Sequence, residues 1–176
     1  MENDFTIHIN SPGGLVYEGV AINSLLQQTD KAYNVVVDGL CFSAATFFLS
    51  PNANVSINEL AQIGIHRTWQ CACGNINDMK SVMKELESYD ERVMSFYQKR
   101  MKDTSEKELS KMMDDITYFT AQEAIDIGLA DNLIVDKKAK AEKDSTEMKK
   151  ARLSGLAAIA ASVMARKSHD SEQLVN

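Results

Sequence analysis

Apolar and polar residues alternate near the start of the chain, with Phe5, Ile7 and Ile9 set between Thr6, His8 and Asn10. A period of two predicts a strand, and Ser11-Pro12-Gly13-Gly14 stops it. From Tyr17 to Gln28 the apolar residues Val20, Ala21, Leu25 and Leu26 predict an amphipathic helix. Val35, Val36 and Val37 form an unbroken apolar run, as in a strand buried on both faces, and Gly39 is expected to end it. Ser43 to Leu49 is small and apolar and predicts a buried helix. Val55–Ile57 and Ile63–Ile65 read as two more short strands.

A long helical pattern follows from Asn77 to Met101. Met79, Val82, Met83, Leu86, Val93 and Tyr97 form its apolar stripe, and charged residues from Lys80 to Arg92 form its wet face. A short helix is expected after Thr104. Thr120 and Glu123 are spaced as a capping box for a further helix, which Gly128 closes. Leu133–Val135 is a last strand. Strands alternating with helices imply an α/β fold with crossover connections.

The pattern changes after Asp136. Residues 137–150 hold six lysines and three acids with almost no large apolar residue. Leu153, Leu156, Ile159 and Val163 then recur at roughly helical spacing in an Ala-rich segment. The expected organisation is one domain over 1–136 and a charged linker with a terminal helix over 137–176. That helix reads as a weakly packed end, or else as a docking element for another subunit.

The whole chain has 176 residues and a net charge of -6, from 19 basic and 25 acidic side chains. Its hydrophobic fraction of 44% is enough for a buried core. No basic stretch interleaved with aromatics is present, which argues against a nucleic-acid partner. The longest apolar stretch, Leu156 to Ala165, is too short to cross a bilayer, and the first ten residues do not form a signal peptide. Cys41, Cys71 and Cys73 are odd in number, and the last two flank a single alanine. That argues against a disulfide framework and for a cytoplasmic protein. Two thiols do not make a zinc site.

Three segments can carry chemistry. Ser11-Pro12-Gly13-Gly14 follows a strand, and its glycines let backbone N–H groups face a ligand; equally, it is a common turn. Ser43, in Gly39-Leu40-Cys41-Phe42-Ser43-Ala44-Ala45, opens a helix after a buried strand, where a nucleophile or a plain N-cap serine fits. His66 ends the apolar strand Ile63–Ile65, where a general base or a core histidine fits. Of the other two histidines, His8 lies in the first strand and His169 in the tail, so His66 is the best placed.

Together these segments resemble the Clp protease proteolytic subunit (ClpP) family. The stretches HINSPGG at 8–14, DGLCFSAA at 38–45, IGIHRTW at 63–69 and ITYFTAQEAIDIGLAD at 116–131 follow its order and spacing. The likeness covers residues 5 to about 136 and is greatest to the phage and prophage branch of head-maturation proteases. It implies a crotonase-like α/β superhelix of β-β-α units and serine-protease hydrolysis inside a ring-shaped homo-oligomer. It further implies polypeptide substrates, such as capsid or scaffold proteins, and no metal or organic cofactor, and leaves room for a Clp ATPase partner. Carried over by position, Ser43 is the nucleophile and His66 the base. Gly14 and the N–H of Ala44 form the oxyanion hole. The helix from Asn77 is the protruding handle through which rings stack.

The chain departs from the family in three places. The aspartate expected four residues before Thr120 is replaced by Ile116, so Asp114, just upstream, is taken as the third catalytic residue. His-Gln-Pro is replaced by His66-Arg67-Thr68. Met1 stands only nine residues before Asn10, which reads as a shortened N-terminus that exposes a sheet edge. The alternative function is a catalytically degenerate subunit that assembles without a working triad. A crotonase-type enzyme acting on acyl thioesters is disfavoured, because that chemistry does not use a serine–histidine pair.

Overall fold

A computed structural model describes residues 5–29 and 33–135. Nearly all of them belong to one compact unit, residues 1–134. The charged linker and Ala-rich helix expected over 137–176 lie outside the described residues.

The order of elements is β1 (Thr6–Ser11), α1 (Val16–Gln27), β2 (Tyr33–Phe42), a 3-10 segment (Ser43–Phe48), β3 (Ala53–Asn58), β4 (Gln62–Ile65), α2 (Ile76–Arg100), α3 (Glu106–Asp114), β5 (Thr117–Thr120), α4 (Ala121–Asp126) and β6 (Asn132–Ile134). The six strands form one mixed sheet in an α/β fold. Three neighbours share β2. β1 runs parallel to it from the Thr6–Asn34 pair to the Ser11–Cys41 pair. β3 pairs with its residues from Tyr33 to Val37, and β4 takes over with Leu40, Cys41 and Phe42. β5 closes against β4 antiparallel, and β6 lies beside β3.

β2 does not end at Gly39, contrary to the expectation from its glycine. The strand continues because β1 bulges between Ile9 and Ser11. The Asn10 side chain then takes up the ladder, its Oδ1 accepting from the N–H of Leu40 at 3.1 Å. A Cβ on Gly39 would stand 2.8 Å from that same oxygen, so glycine is what lets the strand pass. β5 was not anticipated: its four residues carry too little pattern beside the capping box that follows. The helix after β2 is 3-10 rather than α.

Val35, Val37, Val55, Ile57, Ile63 and Ile65 are fully buried and form the centre of the core, with Leu109, Met113 and Leu129 packed over them. The apolar stripe of α2 divides. Val93, Phe96 and Tyr97 are buried, but no residue from Ile76 to Arg92 is. The first 17 residues of the helix, roughly 25 Å, leave Ile76 74% and Met83 60% exposed.

Candidate active site

Strand ends assemble the site. The carboxyl ends of β1, β2 and β4 lie side by side, and ligands of α/β sheets lodge outside such ends. In the ladder Phe42 pairs with Gly64, so Ser43 follows one strand and His66 lies two residues beyond its partner on the other. Gly13 and Gly14 follow β1. Ser43 and His66 line one cleft with Gly14 and Ala44. Of the residues carried over by likeness, only Asp114 does not line it.

Ser43 adopts a left-handed backbone with φ 57°, an uncommon conformation for a residue with a side chain. Three contacts hold it. Gly13, at φ 92°, packs so tightly that a Cβ there would meet the Ser43 Cβ at 2.8 Å and the Ala44 nitrogen at 2.9 Å. The Thr46 hydroxyl donates to the Ser43 carbonyl at 2.6 Å. The Tyr97 hydroxyl, from α2, lies 2.7 Å from that same Thr46 oxygen. Thr46 has one proton and gives it to Ser43, so Tyr97 is the donor in this pair. Burial raises the Tyr97 pKa, which keeps that proton in place. The N–H of Ala44 is in the first turn of the 3-10 segment, where the helix supplies no acceptor. Gly14 faces open space.

The His66 ring packs on Phe42, with centroids 4.8 Å apart, and Phe42 stacks on Tyr118. Gly64 is required beneath them, because a Cβ there would collide with the Phe42 ring. Nδ1 of His66 is hydrogen-bonded to the carbonyl of Arg67. No hydrogen bond joins Ser43 Oγ to His66 among the described residues; such bonds are often long before substrate binds.

Asp114 does not reach His66. Its Oδ1 accepts from Arg67 Nε at 2.8 Å. Arg67 also donates to Ser110 Oγ at 2.6 Å and lies 3.6 Å from Asp90. Asp90 in turn accepts from the N–H and hydroxyl of Thr68 at 2.8 and 2.7 Å. Asp114 and Asp90 hold the guanidinium charged, raising its pKa; the bond to Asp114 is the main cause. Arg67, Thr46, Tyr97 and Trp69, which also lines the cleft, were missed as site residues. Arg67 alone left a signal, as the departure from glutamine beside the base.

Among the described residues no group of three or more His, Cys, Asp or Glu is placed to hold a metal, and no helix is long and apolar enough to cross a membrane. All three cysteines are free thiols, Cys41 buried and Cys71 and Cys73 exposed.

Ser43, His66 and the glycine turn thus meet at the strand ends of an α/β sheet. The chain matches the Clp protease family over residues 1–137 and belongs to that family, a family of peptidases. It is 31% identical over 142 residues to the ATP-dependent Clp protease proteolytic subunit 1 of Prochlorococcus marinus subsp. pastoris, covering 78% of this chain and 70% of the relative. The protein of the same name from Prochlorococcus marinus strain MIT 9312 is 30% identical over the same lengths.

Proposed function

We propose that the chain is a serine endopeptidase, with Ser43 as nucleophile and His66 as general base. The carrying observation is the Phe42–Gly64 pairing, which sets both side chains at one cleft beside Gly14. Ser43 Oγ adds to the peptide carbonyl carbon as His66 Nε2 takes its proton. The N–H groups of Gly14 and Ala44 receive the oxyanion. His66 then returns the proton to the leaving amine, and water hydrolyses the resulting ester by the same route. Asp114 is the acidic residue of the site and acts on the base through Arg67. In this reading the sheet belongs to a crotonase-like superhelix and α2 is its protruding handle. The assembly is a homo-oligomeric ring in the cytoplasm, with a Clp ATPase as a partner. The motif likeness to head-maturation proteases supports phage capsid or scaffold proteins as substrates.

Ile116 favours a second reading, a degenerate subunit without peptidase activity, since it stands where the family has an aspartate. A fluorophosphonate separates the two. The endopeptidase is labelled on Ser43 and cleaves unfolded polypeptide, and Ser43→Ala or His66→Ala lowers turnover at least about a thousandfold. A folded wild type that neither labels nor cleaves is the degenerate subunit.

A further inference from the structure

The ladder between β4 and β5 pairs Gly64 with Tyr118 and Ile65 with Thr117. His66 and Ile116 are the next residues beyond that end of the ladder. The family likeness expects an aspartate at residue 116, and this chain has none there. Ile116 is 55% exposed and sits at φ 54°, a conformation rare for a β-branched residue. The imidazole is nonetheless bonded at Nδ1, to the main-chain carbonyl of Arg67. A carbonyl only accepts, so it selects the tautomer with the proton on Nδ1 and leaves Nε2 free to take the proton of a serine.

A carbonyl on a loop orients a ring only if the loop is held. The Arg67 side chain holds it. Its fork reaches Asp114 and Ser110 on α3 and Asp90 on α2. The Arg67 N–H donates to the carbonyl of Met113 at 3.2 Å, and Asp90 fixes Thr68 from the other side.

We infer that Arg67 is the positioning residue of the catalytic histidine: its clamp on Asp114, Ser110 and Asp90 fixes its own carbonyl on His66 Nδ1, in place of a carboxylate at residue 116. The inference rests on the endopeptidase reading. It explains why Asp114 turns toward Arg67; lysine, a single point charge, could not hold the same acceptors at fixed angles.

The test is the rate of fluorophosphonate labelling of Ser43 and the kcat and KM for a peptide, measured with Arg67→Ala, Arg67→Lys and each combined with Ile116→Asp. Arg67→Ala is expected to slow labelling and lower kcat at least tenfold with KM nearly unchanged, and Arg67→Lys to fall between. Ile116→Asp is expected to restore most of the lost rate in either background, because it supplies the carboxylate directly. Rescue is the readout that a merely structural arginine would not give. Should Arg67→Ala fail to fold, Ser110→Ala with Asp114→Asn opens the clamp from α3 and is expected to give the same loss and the same rescue. Labelling at the wild-type rate in these variants overturns the inference alone, as does a loss that Ile116→Asp leaves unrepaired. A wild type with no label on Ser43 overturns the endopeptidase reading, and the inference with it.

Discussion

The Tyr97 hydroxyl stands 2.7 Å from Thr46 Oγ1, and through that one atom α2 reaches the carbonyl of Ser43. All three groups are committed: tyrosine donates to threonine, and threonine donates to the Ser43 backbone. Removing either end has unequal effects. Tyr97→Phe deletes one hydrogen bond and leaves Thr46 on Ser43, costing about 1 kcal/mol. Thr46→Val strands a buried tyrosine hydroxyl and frees the left-handed Ser43, costing about 1–3 kcal/mol. Thermal melts should therefore rank wild type, Tyr97→Phe, Thr46→Val in falling order. Labelling of Ser43 should slow most in Thr46→Val. Equal melting points for the two variants would mean that the relay does not run in this direction.

The unburied half of α2 predicts an interface between copies of the chain. Ile76 and Met83, two turns apart on one side of the helix, are exposed, and methionine adapts well to such surfaces. Ile76→Asp with Met83→Asp should lower the assembled mass in light scattering and lower activity with it, while the melting temperature of the separated subunit stays close to that of wild type. Val93 is a poor choice for this experiment, because it is buried at home. An unchanged mass would place the interface elsewhere.

Two helix starts predict how stability responds to acid. Ser105 with Glu108 opens α3, and Thr120 with Glu123 opens α4, each as a complete capping box. The bond from the Ser105 hydroxyl lowers the Glu108 pKa, and the bond from the Thr120 N–H lowers that of Glu123. Their folded pKa values lie below the unfolded ones, so the unfolded chain binds more protons as pH falls. The contribution is complete above the ordinary carboxylate pKa and is lost as pH drops through the folded values. Melts between about pH 6 and about pH 3 should fall less steeply for Glu108→Gln with Glu123→Gln than for wild type. Parallel curves would show that the boxes carry no proton linkage.

Much of this arrangement was legible in the residues. Valine and isoleucine runs marked β2, β3 and β4, but burial alternates along β2 and β3: Val36, read as part of a strand buried on both faces, is half-buried between the buried Val35 and Val37. The glycines before Val16 and the serine after Phe42 marked the turn and the helix start at the cleft. Three things were hidden because they depend on distant partners. Gly39 read as a stop, since only Asn10, 29 residues away, shows why the strand continues. Thr117–Thr120 is a strand only because β4 lies beside it. Asp114 was close enough to His66 in sequence register to suggest a direct bond, but the charge of Arg67 lies nearer and takes it.

The sharing of β2 among three neighbours bears on how the molecule opens. A ladder bond of β2 opens to solvent only if β1, β3 or β4 separates from it, and each separation exposes buried apolar residues. Ser43 is tied to the end of that strand, whereas Arg67–Thr68 is held by a single main-chain bond, from the Arg67 N–H to Met113, and otherwise by side chains. Hydrogen exchange should therefore divide the cleft: the wall bearing Ser43 opens with the whole domain, and the wall bearing His66 opens by itself, at a smaller free energy. Loss of activity on gentle warming would then begin at the histidine, before the sheet has parted.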